Sequence, residues 1–258
     1  MSFMKNKIVF VTGASSGVGR ACARAFAREG ASLLLAARRA ARLKELAESL
    51  AAEFGAAVLP FALDVRDQAA VARAVGGLPE NWKAVDVLVN NAGLSRGLDK
   101  FQDGLLSDWE EMIDTNVKGL LYVSRAVLPG MVTRGRGHVI NIGSIAGHEI
   151  YPAGNVYCAS KFAVKALSRG LRLDLCGTNL RVSTVDPGMV ETEFSEVRFH
   201  GDKTRAANVY RGFTPLTAED VAEAVLFCAT RPAHVNISEV IVMPTAQAST
   251  MLVHRRES

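Results

Sequence analysis

The sequence predicts an α/β fold: one domain built on a doubly wound sheet of seven parallel strands, with helices on both faces. Three observations carry this. Seven short apolar runs rich in β-branched residues alternate with helix-like stretches. A glycine-rich turn joins the first run to the first helix. No Pro/Gly/Ser-rich linker divides the 258 residues, so 1–258 reads as a single unit.

Ile8-Val9-Phe10-Val11 is uninterrupted by polar residues, as a strand buried on both faces should be. Val18, Ala21, Cys22, Ala25 and Phe26 form one apolar stripe, which predicts a helix from Gly17 to Glu29. Gly30 ends it, because glycine enters the left-handed conformation cheaply. A second strand is predicted from Ser32 to Ala37, a helix from Arg39 to Phe54, a third strand from Ala57 to Ala62 and a helix from Asp67 to Val75. Val85 to Val89 makes a fourth strand. Ser107 to Arg134 reads as one long helix, with Ser107 as N-cap and acid in the first turn. Val139 to Ile142 is a fifth strand, Ala153 to Cys176 a second long helix and Leu180 to Val185 a sixth strand. Ala218 to Ala229 is a helix, and Val240 to Val242 the seventh strand. This order is Rossmann-type. The segment 190–215 is charged and irregular, and lies where a mobile cover over a site belongs.

Composition excludes several function classes. Hydrophobic residues are 49% and charged residues 22%, which is globular and needs no metal or disulfide staple at this length. The excess of 30 Lys plus Arg over 26 Asp plus Glu gives only +4, and the cations are scattered. That argues against nucleic acid and for an anionic small molecule. No run approaches the roughly 18 apolar residues of a membrane span. Met1 to Asn6 carries no apolar signal core, so a cytoplasmic protein is expected. Cys22, Cys158, Cys176 and Cys228 are far apart, without CxxC or Cys/His metal spacing. They read as buried, reduced thiols, with no metal expected.

Ligands of such sheets bind at the carboxyl ends of the strands, where strand order reverses. Thr12-Gly13-Ala14-Ser15-Ser16-Gly17-Val18-Gly19 falls there. Its glycines allow a tight turn and close backbone approach, and the helix amides that follow face an anion, with the helix dipole adding about 0.3–1 kcal/mol. The second strand ends in Arg38-Arg39, with no acid to bond a ribose 2′-hydroxyl. Arginine grips a phosphate with two parallel bonds, so NADP(H) is expected over NAD(H), with Arg38 the main contact and Arg39 an auxiliary. Tyr157 and Lys161 stand four apart on a helix and share a face. A phenol with a pKa near 10 needs roughly 4 kcal/mol of phenolate stabilisation to titrate about three units lower, and a neighbouring ammonium plus the positive nicotinamide of the oxidised cofactor has the right sign and scale. Ser144 follows the fifth strand nearby.

These residues resemble the short-chain dehydrogenase/reductase family along nearly the whole chain. The matching segments are Thr12 to Gly19, Asp64-Val65, Asn90-Asn91-Ala92-Gly93, Asn116, Ser144, Tyr157-Cys158-Ala159-Ser160-Lys161, and Pro187-Gly188 followed by Thr192. The resemblance implies that Tyr157 is the acid/base, that Lys161 holds the nicotinamide ribose and depresses the tyrosine pKa, and that Ser144 bonds the substrate oxygen. It implies that Asn116 positions a water, that Asp64 and Val65 line the adenine pocket, and that Asn91, Ala92, Gly93, Pro187, Gly188, Val190 and Thr192 line the cofactor. Asn90 either joins them or braces the sheet. The usual Asn-x-Ser-Ser form here reads Asn141-Ile142-Gly143-Ser144, and glycine at 143 should widen that spot.

Glu191-Thr192-Glu193-Phe194-Ser195 with Val197-Arg198, Tyr151-Pro152-Ala153-Gly154-Asn155-Val156-Tyr157, Pro232-Ala233-His234-Val235-Asn236-Ile237 and Met243-Pro244-Thr245-Ala246-Gln247 are similar, more narrowly, to NADP-dependent 3-hydroxy acid dehydrogenases acting on serine, allo-threonine and related β-hydroxy acids. That implies a homotetramer with the tail 244–258 at its interface, and a carboxylated substrate. Arg198 could grip the carboxylate, or be a lid or interface charge; His148 could line the pocket, or be an ordinary loop histidine. The alternative enzyme is a reductase of other small aldehydes or ketones, sulfonated or acyl-carrier-bound ones included. A non-enzymatic dinucleotide sensor would be expected to lack Tyr157 or Lys161, and both are present.

Overall fold

The computed structural model describes residues 3–256. Seven strands, β1 (Ile8–Thr12), β2 (Ser32–Ala37), β3 (Val58–Ala62), β4 (Val85–Asn90), β5 (Gly137–Ile142), β6 (Leu180–Pro187) and β7 (Glu239–Val242), form one sheet in the order β3-β2-β1-β4-β5-β6-β7. Every neighbouring pair is parallel. The order reverses between β1 and β4, so a crevice opens above their carboxyl ends.

Alternation along each strand divides the core. Val9 and Val11 of β1, Leu33 and Leu35 of β2 and Val89 of β4 point to one face, with Phe26 and Val225. Those two belong to α1 (Gly17–Arg28) and α9 (Ala218–Ala229), and α2 (Ala40–Phe54) covers the same face through Leu43, Leu46 and Leu50. Phe10, Leu34, Leu88 and Val139 point the other way. They meet Val71 of α3 (Gln68–Gly76) and Val123, Val127 and Met131 of α5 (Leu120–Arg134). Each fully buried side chain of this kind contributes about 1.5–3 kcal/mol. No helix among the described residues is long and apolar enough to cross a membrane.

Four expectations change. The helix foreseen from Ser107 to Arg134 is α4 (Leu106–Ile113) and α5, separated by a π-helical turn over Asp114–Gly119. Its apolar periodicity survives the extra residue in the turn, so the sequence reads as continuous. Leu105, not Ser107, occupies the N-cap, although Asp108 does lie in the first turn. The second long helix, α6 (Asn155–Asp174), begins after Ala153, which sits at φ +63° and cannot be helical. Cys22, Cys158 and Cys228 are buried free thiols, but Cys176 follows the end of α6 and is exposed.

The segment expected over 190–215 as an irregular cover carries two short helices, α7 (Phe194–Arg198) and α8 (Lys203–Asn208), within it. The tail turns back on its own chain: the backbone N–H of Thr250 donates to Glu149 at 2.9 Å, and that of Arg256 to Gly212 O at 2.7 Å. Residues 257–258 of the expected interface tail lie outside the described residues.

Candidate active site

A long cleft runs over the carboxyl ends of β1, β2, β4, β5 and β6. Gly13, Ser15, Ser16, Gly17 and Val18 form one wall. Gly13 sits at φ +65°, and a Cβ there would meet Ala92 Cα at 2.9 Å. Gly19 does not line the cleft: a Cβ on it would overlap Asn91 Nδ2, so it is needed for packing. Asn91 in turn donates through Nδ2 to Thr12 O at 2.9 Å and braces the loop from β4. Asn90 braces the sheet, donating to Ser124 Oγ and Asn141 Oδ1, both at 2.9 Å.

Arg38 and Arg39 both line the cleft but differ in how they are held. Arg39 donates to Ser15 Oγ at 3.1 Å and Ser16 Oγ at 2.5 Å, and pairs with Glu193 at 2.8 Å. Glu193 also pairs with Arg42 at 2.6 Å, so these two guanidiniums hold its carboxyl below the usual range against the effect of burial. Arg38 is looser, 54% exposed and 3.6 Å from Glu111. Asp64 and Val65 stand beside them, and the hydrogen bond from Arg66 to Asp64 lowers that carboxyl.

At the other end, Ile142, Gly143, Ser144, Tyr157, Lys161, Pro187, Gly188, Val190 and Thr192 converge, facing Asn91, Ala92 and Gly93. Ser144 Oγ caps the turn after β5, accepting from the N–H of Ala146 at 3.1 Å, and also hydrogen-bonds Tyr157. Lys161 Nζ donates to Ile142 O at 3.0 Å and lies 5.9 Å from the centre of the Tyr157 ring. All three side chains are buried.

Around Tyr157, burial is the largest influence. Burial pushes the phenol well above its ordinary range, and the neighbouring Tyr151 adds to this. The cation opposing that shift is Arg198, helped by the hydrogen bond from Ser144. Lys161 is aimed at Ile142 O, and burial itself lowers it to about 8. Desolvation of two buried groups outweighs the attraction that their sequence spacing suggested.

Asn116 lies in the π turn, outside the cleft wall. Its Oδ1 accepts from the N–H of Leu94 at 2.8 Å, and its Nδ2 donates to Leu94 O at 2.8 Å and Ser160 Oγ at 3.0 Å. Its side chain thus ties the β4 loop to α6. His148 is also outside the wall: Nε2 lies 2.8 Å from Asp186 and Nδ1 2.6 Å from Lys165 Nζ. It faces this buried cluster behind the cleft, which leaves no support for a substrate contact. Arg198 does not form the wall either, but its guanidinium stacks 5.3 Å from the centre of the Tyr157 ring and donates to Tyr151 Oη at 2.9 Å. Its Nε is buried without a partner. Glycine at 143 does not widen the site, because a Cβ there would overlap the carboxylate of Asp186. Sequence reasoning did not name Ala37, Leu63, Leu94, Thr115, Glu193, Phe194 and Val197 as site residues; Glu193, Phe194 and Val197, which follow Thr192 in a noted motif, carried a signal.

A family model for the short chain dehydrogenases matches residues 7–203, and the chain belongs to that family. It is 51% identical to the NADP-dependent 3-hydroxy acid dehydrogenase YdfG of Salmonella typhimurium, over 96% of this chain and 99% of that one. It is also 51% identical to sulfoacetaldehyde reductase 2 of Chromohalobacter salexigens, over 93% of this chain and 95% of that one. Among solved structures, the closed form of serine dehydrogenase complexed with NADP+ superposes with a TM-score of 0.90 at 47% identity, covering 97% of this chain and 100% of the other.

Proposed function

We propose that this protein is an NADP(H)-dependent oxidoreductase that moves hydride between the nicotinamide and the β-carbon of a small 3-hydroxy acid. The observation that carries this reading is the convergence of Ser144, Tyr157 and Lys161 beside a glycine loop flanked by Arg38 and Arg39. The residues of the cleft suit the dinucleotide: the backbone of the glycine loop would hold the pyrophosphate, and Arg38 and Arg39 in the same lining would hold a 2′-phosphate. When bound, NADP+ supplies the hydride acceptor and a positive ring. Ser144 Oγ holds the substrate oxygen, Tyr157 exchanges the hydroxyl proton, and Lys161 holds the ribose and adds positive charge. Burial favours the neutral phenol of Tyr157, which suits a proton donor to a carbonyl.

Arg198 supports an anionic substrate. Its guanidinium stacks on the Tyr157 ring and carries a buried Nε without a partner. A carboxylate would satisfy it, and so would a sulfonate. The second reading, reduction of sulfonated aldehydes, is favoured by the 51% identical sulfoacetaldehyde reductase. One panel decides between them: NADP+ reduction with serine, allo-threonine, 3-hydroxypropionate, 3-hydroxyisobutyrate and simple alcohols, beside NADPH oxidation by neutral and sulfonated aldehydes. Turnover of the hydroxy acids well above the alcohols is expected, and preference for the sulfonated aldehyde would replace the first reading with the second. Arg198→Ala should raise KM for carboxylated substrates selectively; an equal change with neutral alcohols would reject that role.

A cytoplasmic homotetramer completes the reading. Leu121 and Val132 of α5 and Phe162 and Leu173 of α6 are large apolar side chains exposed on the single chain, which supports association through these helices. Light scattering after gel filtration should give four times the chain mass.

A further inference from the structure

Gly143, at the end of β5, and Asp186, near the end of β6, lie side by side because Ile142 pairs with Val185 and the N–H of Gly143 donates to Val185 O at 2.9 Å. The space a side chain at 143 would fill is taken by Asp186 Oδ1. Asp186 is 2% exposed. A carboxylate taken so far from water costs several kcal/mol unless it is paired and hydrogen-bonded.

Its partners form a chain. Lys165 Nζ lies 2.6 Å from His148 Nδ1, and His148 Nε2 lies 2.8 Å from Asp186 Oδ2. An ammonium can only donate, so Nδ1 accepts, and Nε2 carries the proton and donates to Asp186. Glu239 on β7 lies 3.1 Å from His148 Nε2, and is balanced by Lys165 at 3.5 Å and Arg169 at 3.3 Å. Lys161, one helical turn before Lys165 on α6, donates Nζ to Ile142 O at 3.0 Å, beside the Gly143 whose side-chain space Asp186 Oδ1 fills. The titratable groups around Asp186 are therefore His148 from the β5–α6 loop, Lys161 from α6 and Glu239 from β7. Around Lys161, Asp186 is the anion that works against desolvation.

We infer that Asp186, oriented by His148, is a positioning residue: the buried counter-charge that keeps Lys161 an ammonium while Tyr157 exchanges its proton. Gly143 is the opening that lets this carboxylate in. The role of Lys161 rests on the function proposed above, but the electrostatic claim can be tested without substrate. With 13C-labelled lysine in the whole protein, the Lys161 Cε signal, assigned by its loss in Lys161→Met, should titrate at about 8. Asp186→Asn is close to isosteric, and should lower that midpoint by on the order of one unit. The alkaline limb of NADPH-dependent carbonyl reduction should move down with it, whereas a purely structural role would lower kcat without moving either. His148→Ala, which removes the donor to Asp186, should move both the same way by less, and decides the matter should Asp186→Asn not fold. A Lys161 midpoint unchanged in the folded variant overturns the inference. A substrate panel without hydroxy-acid turnover would sink the functional reading and leave the titration to judge this one.

Discussion

At the phosphate end of the cleft Arg38, Arg39, Arg42 and Glu193 are each 42–54% exposed, whereas at the reaction end Ser144, Tyr157 and Lys161 are at most 8% exposed. The same kinds of charge act differently in the two places. An exposed pair contributes roughly 0–1 kcal/mol and is screened by salt, so its members can be exchanged one at a time without touching the fold. In the buried end each charge sets its neighbours' protonation, and removing one leaves another unpaired. On the function proposed above, cofactor preference would be set by replaceable surface charge, and chemistry by a network that has to be kept whole.

The largest expected effect breaks the buried end at its centre. Tyr157→Phe should lower turnover about 10²–10⁴-fold while NADPH binding stays nearly intact, read by kinetics and fluorescence titration. Preserved turnover would remove Tyr157 from the chemistry. Next is the cost of burying the ammonium. Lys161 is lowered to about 8 in the folded protein from 10.5. Between those values the unfolded chain binds more protons, so this residue makes the fold more stable as pH rises through that window. Denaturation of the parent and Lys161→Met at pH 7, 8, 9 and 10.5 should show the parent gaining up to ~3 kcal/mol on the variant. Parallel curves would mean the lysine is not held in a desolvated site.

The exposed end gives smaller effects. Arg38→Asp should move preference from NADPH towards NADH by about 10–100-fold without lowering Tm, because a carboxylate repels the 2′-phosphate. An unchanged ratio would place the phosphate on Arg39 and its serines. Smallest is a control outside both ends. Thr217 and Asp220 form a capping box at the start of α9, and Thr217→Ala should cost about 1 kcal/mol in denaturation while kcat is unchanged. A change in kcat would show that stability and chemistry are not separable across the sheet.

What was legible beforehand follows the distance over which each cause acts. The strands and most helix ends were readable because alternation, apolar stripes and glycine stops are local. The glycine loop, Ser144 and the Tyr157–Lys161 pair were readable because strand, turn and helix place them within short stretches. The π turn was hidden, since an inserted residue leaves the apolar pattern of α4 and α5 intact. The burial that works against a lowered Tyr157 pKa was not legible either, because it is set by the fold and not by the spacing to Lys161. The Glu193–Arg39 pair is 154 residues apart, and Asp186 and His148 are 38 apart; no periodicity joins either pair.

By itself, then, the sequence determined the alternation of strands and helices, the glycine-rich turn after β1, the cationic end of β2 and the Ser144, Tyr157 and Lys161 set that lines the cleft. All of these depend on residue type and short spacing. Only the tertiary structure decided which of those side chains are desolvated, what faces them, and that the gap at Gly143 is filled by the carboxylate of Asp186. Parallel pairing brings β5 and β6 together from distant parts of the chain, and the energy of a buried charge depends on what surrounds it in space.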